Sequence, residues 1–108
     1  MASVRLNTNQ IMDWESFHKV CKTEMGFPDF YGMNMNAWID CLSYLDEDAG
    51  MTRFRLVENE LLHIEINEAE DFKSRLPEIF DALVECAAFV NRRYVEAGKT
   101  PSLSLVFI

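Results

Sequence analysis

Asn36, Asp40, Ser43 and Glu47 recur at steps of four, three and four residues. At about 100° per residue, that spacing gathers all four into a stripe roughly 60° wide along one helix face. The stripe is a hydrogen-bonding ridge with one carboxylate, Asp40, near its middle. Phe30, Tyr31 and Gly32 stand in the segment just before it. Aromatics in a loop beside a carboxylate suit a protein interface better than a small-molecule pocket. A solvated helix face next to a buried aromatic loop fits the same pattern, because most surface helices carry such a face.

Other chemistries lack their parts. The sequence has no Gly-rich phosphate loop, no GxSxG and no HExxH. His18 falls on a helical stretch and His63 on an alternating one, each expected at a surface or boundary, and nothing pairs them as acid and base. Asp46-Glu47-Asp48 and Glu68-Ala69-Glu70-Asp71 fit solvated turns or helix N-terminal charges. An EF-hand fails at Asp46–Gly50 because the twelve-position ligand spacing is absent. Cys21, Cys41 and Cys86 are odd in number and widely spaced, which is neither a disulfide framework nor a zinc site. They are expected as small buried hydrophobes. No cofactor or metal is expected, and no enzyme.

The elements that must position the ridge can be placed from pattern. Val4 and Leu6 flank Arg5 as a first strand. Asp13 caps a helix carrying Trp14, Phe17, Val20, Cys21 and Met25, which Gly26 and Pro28 stop. Asn34 caps the ridge helix, expected to reach about Leu45, with Met35, Trp38, Ile39, Leu42 and Leu45 on its apolar side. Phe54 and Leu56, then Leu62, Ile64 and Ile66, alternate with polar residues and predict a hairpin. A polar segment holding Asp71 and Ser74 leads to the strongest helix, from Leu76 and Pro77 through Tyr94, with Gly98 and Pro101 at its end. Leu103 to Ile108 is a nearly continuous apolar strand, expected buried on both faces. Strands alternating with helices predict an α/β fold with a small parallel sheet.

At 108 residues, 49% hydrophobic and 26% charged, the chain is expected to form one domain over residues 1–108. Eighteen acidic against ten basic residues leave a net charge of −8. Such a field is repelled by phosphate backbones and anionic lipid, so neither nucleic acid nor membrane is an expected partner, and a basic protein is. The first residues offer no apolar signal region, and no run approaches about 18 apolar residues. The expectation is a cytoplasmic protein, monomeric when free.

Phe27-Pro-Asp-Phe-Tyr-Gly-Met-Asn-Met-Asn-Ala-Trp-Ile-Asp-Cys-Leu42 resembles the signature of the barstar family, intracellular inhibitors of barnase-type ribonucleases. That pattern reads Pro-acidic-aromatic-Tyr-Gly-x-Asn-x-Asp-Ala-x-x-Asp-Cys-Leu, and Pro28, Asp29, Tyr31, Gly32, Asn34, Ala37, Asp40, Cys41 and Leu42 meet it. The resemblance implies a three-stranded parallel sheet with packed helices, and leaves Thr52–Val57 as an added edge strand. It implies a non-enzymatic inhibitor, of immunity type, whose second helix and preceding loop plug the active site of a basic ribonuclease. Asp40 would sit where the RNA phosphate lies, with Phe30, Tyr31, Gly32, Asn34, Asn36, Ile39 and Ser43 in the contact. Three positions depart from the family. Asn36 stands where the pattern has an aspartate, Phe30 replaces a tyrosine, and Ile39 stands where an interface tryptophan occurs. These departures support an alternative, an adaptor that binds another basic protein without inhibiting a nuclease.

Overall fold

A computed structural model describes residues 2–108. It contains β1 (Ala2–Leu6), a 3-10 turn (Thr8–Gln10), α1 (Trp14–Met25), α2 (Met35–Leu42), β2 (Leu62–Ile66), α3 (Ala69–Arg75), α4 (Pro77–Glu96) and β3 (Leu103–Phe107). The strands form one parallel sheet in the order β1-β2-β3, with Ala2 opposite Leu62 and Leu62 opposite Leu103. The α/β fold with a three-stranded parallel sheet is therefore as expected.

Strand alternation decides where the core sits. Val4 and Leu6 on β1, and Leu62, Ile64 and Ile66 on β2, are buried on one face. The other face carries Arg5, His63, Glu65, Ser104 and Val106, none of them buried. There Arg5 pairs with Glu65 across the β1–β2 register, at 3.1 Å. β3 is thus not buried on both faces, and its end, Phe107 and Ile108, is exposed. The apolar run misled because β3 is an edge strand with one half-open side.

Local chemistry sets the helix ends. The Asp13 side chain accepts from the Ser16 N–H while Ser16 Oγ accepts from the Asp13 N–H, a capping box that opens α1. Gly26 closes it at φ 68°, a left-handed conformation that favours glycine. A Cβ at Gly26 would also stand 2.7 Å from that of Arg53. Asn34 opens α2 by accepting from the Ala37 N–H at 2.8 Å.

Three expectations are corrected. Residues 52–57 form no strand, because both edges of β2 are taken by β1 and β3. The Arg53 N–H donates to the Met25 carbonyl and the Leu56 N–H to that of Leu45, so this segment straps the ends of α1 and α2 instead. There is accordingly no hairpin with β2, and the segment adds no strand to the open edge of β1 or β3 because its N–H groups are engaged at the helix ends. The polar stretch before α4 contains the short helix α3, whose one buried residue, Phe72, is too little to show a period. α2 stops at Leu42 rather than near Leu45.

Tyr94 explains that stop. It is buried on α4, and its hydroxyl donates to the Leu42 carbonyl while accepting from the Leu45 N–H. Both backbone groups are freed by the end of α2 and must find partners. Tyr94→Phe should therefore destabilise the protein by about 1–3 kcal/mol, because a buried donor loses its acceptor. Urea unfolding should show a lower midpoint at unchanged slope; an unchanged midpoint would refute this role.

Candidate functional site

The candidate site is built from the loop after α1 and the outer face of α2. The loop makes a tight turn, the Tyr31 N–H donating to the Pro28 carbonyl at 2.9 Å. Tyr31 folds inward and is only 6% exposed. Its ring packs on Phe27 and His18, and its hydroxyl hydrogen-bonds His18 Nδ1 at 2.6 Å. Phe30 points the opposite way and is 76% exposed, more than any other large apolar side chain among the described residues. One aromatic anchors the loop and its neighbour is displayed.

On α2, Trp38, Cys41 and Leu42 are buried. Asn36 and Asp40 are exposed, and Ile39 and Ser43 half-buried. Ser43 is the C-cap and its hydroxyl donates to the Ile39 carbonyl at 2.7 Å. Glu47 lies beyond the helix end in an exposed bend, so the expected ridge is shortened to Asn36, Asp40 and Ser43. Gly32 is exposed, and a Cβ there would stand 3.3 Å from the Asn34 amide nitrogen. That same amide group donates to the Gly32 carbonyl. The structure thus places Phe30, Gly32, Asn34, Asn36 and Asp40 at the surface along one loop-helix segment, and keeps Tyr31 beneath it.

A second helix reaches this surface, which pattern reading missed. Arg93 of α4 lies beside Asp40, with Nη1 to Oδ1 at 3.4 Å, and donates to Ser43 Oγ at 3.1 Å. Its guanidinium also sits 5.2 Å from the centroid of the Phe89 ring, which is part-exposed. Farther along, Lys99 pairs with Asp46 at 2.7 Å. Arg93 and Asp40 are 53 residues apart, so no local spacing couples them.

His18 is buried rather than at a boundary, 3% exposed, with Trp14 stacked against it at 5.8 Å. Burial lowers its pKa, and burial raises that of Tyr31, which keeps its hydroxyl protonated. Burial also pushes the Cys21 thiol up to about 12 and the Cys41 thiol up to about 11, so both stay neutral at pH 7. Cys86 is half-buried. Among the described residues, no three His, Cys, Asp or Glu side chains are grouped to hold a metal. What the surface offers is contact: a displayed ring, amides, a hydroxyl and one accessible carboxylate.

A family model described as Barstar (barnase inhibitor) matches residues 1–106 of the chain. No curated protein matches it.

Burial of His18 makes the anchor it forms with Tyr31 sensitive to acid. The unfolded imidazole titrates near about 6.5 and the folded one lower, so the unfolded chain binds more protons in between. Its contribution is complete above about pH 6.5 and is lost as pH falls through the folded value. Urea midpoints measured between pH 7.5 and 5 should decline toward acid, and His18→Gln should flatten that decline. An equal slope in the variant would remove His18 as the cause.

Proposed function

The chain belongs to the barstar family, whose members are inhibitors rather than enzymes, and we propose that it inhibits a basic, barnase-like ribonuclease by seating α2 and the preceding loop in the enzyme's active site. The observation that carries this reading is the joint display of Phe30 and Asp40 on one loop-helix segment, with Asp40 63% exposed. An apolar anchor beside a carboxylate is the composition of an interface hot spot facing a basic cleft. The net charge of −8 speeds encounter with a cationic enzyme. Contact then withdraws Asp40 from water among the enzyme's cationic groups, where it competes with the phosphate of RNA. Phe30, Gly32, Asn34, Asn36, Ile39 and Ser43 complete the contact, while Tyr31 supports the loop from below. On this reading the free chain is a cytoplasmic monomer, needs no cofactor and takes neither nucleic acid nor membrane as a partner.

A second reading, an adaptor for another basic protein without nuclease inhibition, draws support from Asn36, which leaves the ridge one carboxylate poorer than the family pattern. Cleavage of a fluorogenic RNA by barnase separates the two. Inhibition that titrates to a one-to-one stoichiometry is expected, and its absence at micromolar chain would refute inhibition of a barnase-like enzyme. Asp40→Ala should weaken the complex about a hundredfold or more, a loss of about 3 kcal/mol that falls within the range of about 2–5 kcal/mol for truncating a buried interfacial charge. The fold should survive, because Asp40 is exposed in the free chain. Calorimetry giving equal affinity for both proteins would remove Asp40 from the contact.

A further inference from the structure

Asp40 does not face the solvent alone. Arg93 reaches it from α4 and is held by three groups: Asp40 Oδ1 at 3.4 Å, Ser43 Oγ at 3.1 Å and the Phe89 ring at 5.2 Å. Ser43 is itself fixed by its bond to the Ile39 carbonyl, so the cradle is built from the α2 terminus. A cation approaching Asp40 therefore meets a guanidinium already in place. It must displace Arg93 or share the carboxylate with it, leaving two positive groups side by side.

We propose that Arg93 is a specificity-determining residue of this surface, an internal competitor for Asp40 that weakens the hold on a uniformly basic partner. The inference rests on Asp40 being the partner-facing carboxylate. The pair is suited to tuning rather than locking. It is a single-point contact between side chains 46% and 63% exposed, and such pairs are weak in water and screened by salt. In a complex that excludes water the same guanidinium counts for more, because like charges brought together there are costly. Phe89 prevents Arg93 from simply swinging away at no loss, since leaving forfeits a cation–π contact. Asn36 leaves a neutral group in this segment, so no carboxylate on the ridge other than Asp40 offsets Arg93.

Barnase is the probe, with affinities from calorimetry and rates from stopped flow. Arg93→Gln should bind about tenfold tighter than the parent chain, mainly through slower dissociation. Arg93→Met, which keeps an aliphatic stem near Phe89, should behave alike, and circular dichroism should confirm that both variants are folded. Arg92→Gln makes the identical change in net charge at an exposed neighbour outside the cradle, and should change affinity by no more than about twofold through general steering. In an Asp40→Asn background the Arg93→Gln gain should vanish. A parent chain that fails to bind while Arg93→Gln binds would support the inference and refute barnase-type inhibition by the parent. A parent chain that binds as tightly as Arg93→Gln would overturn the inference and leave the inhibitor reading standing. Equal gains from Arg92→Gln and Arg93→Gln, a gain that persists without Asp40, or no binding by any variant would each overturn it.

Discussion

The buried hydroxyl of Tyr94 links the three features on which the surface depends: where α2 ends, how α4 lies against it, and which α4 side chain reaches it. Its oxygen serves Leu42 and Leu45 on either side of the α2 terminus. With that side chain turned inward, the preceding residue points about 100° away around α4, which brings Arg93 alongside Asp40 and Ser43. A polar bond in the core thus sets a charge contact on the outside. The same terminus receives Leu56, whose N–H donates to the Leu45 carbonyl, so the 52–57 strap, α4 and α2 converge within a few residues. Asn91, one turn earlier on α4, accepts from the N–H groups of Ser102 and Leu103. It thereby ties the same helix to β3, and the sheet and the candidate surface share one helix as their common reference.

The loop before α2 follows a different rule. Tyr31 and His18 form a hydrogen-bonded pair among Trp14, Phe17 and Phe27, where a desolvated hydroxyl and imidazole satisfy each other. Because Tyr31 is spent on anchorage, Phe30 is left outward at little cost in loop order. Exposing one large ring is tolerable; exposing it on a rigid support is what makes a contact residue, since less freedom remains to be lost on binding. Asn34 adds stiffness from the other side, capping α2 through its oxygen and closing back on Gly32 through its nitrogen.

Much of this was legible in residue order, and the failures have physical causes. The caps at Asp13 and Asn34, the Gly26 stop and the long α4 follow from local chemistry, so they could be read directly. The sheet was legible because β1 and β2 bury alternate residues, whereas β3 carries its apolar run to an exposed edge. Residues 53–56 alternate as a strand would, yet β2 has no free edge for a hairpin and the segment's N–H groups go to Met25 and Leu45 instead. α3 buries only Phe72 and owes its position partly to Arg75, which donates to the Thr8 and Ile11 carbonyls. At the site, Asp40 and Phe30 were visible as types in a pattern. The inward turn of Tyr31 and the arrival of Arg93 were not, because each depends on a partner from another helix.

Net charge and contact charge are therefore separate properties here. The value of −8 arises from 18 acidic side chains spread over the chain, four of them on α4 and many in the turns, and acts at long range. Within reach of Asp40 the balance is closer to neutral: Asn36 contributes none and Arg93 contributes the opposite sign. A long-range acidic field raises the rate of encounter with any cationic protein and discriminates poorly among them. Discrimination must then come from short range, where water is excluded and each unmatched charge is expensive. A surface that attracts broadly but presents its carboxylate beside a guanidinium divides these tasks between distance scales. On the proposed reading, the far field gathers basic proteins, and the few ångströms between Asp40, Ser43 and Arg93 decide which of them stay.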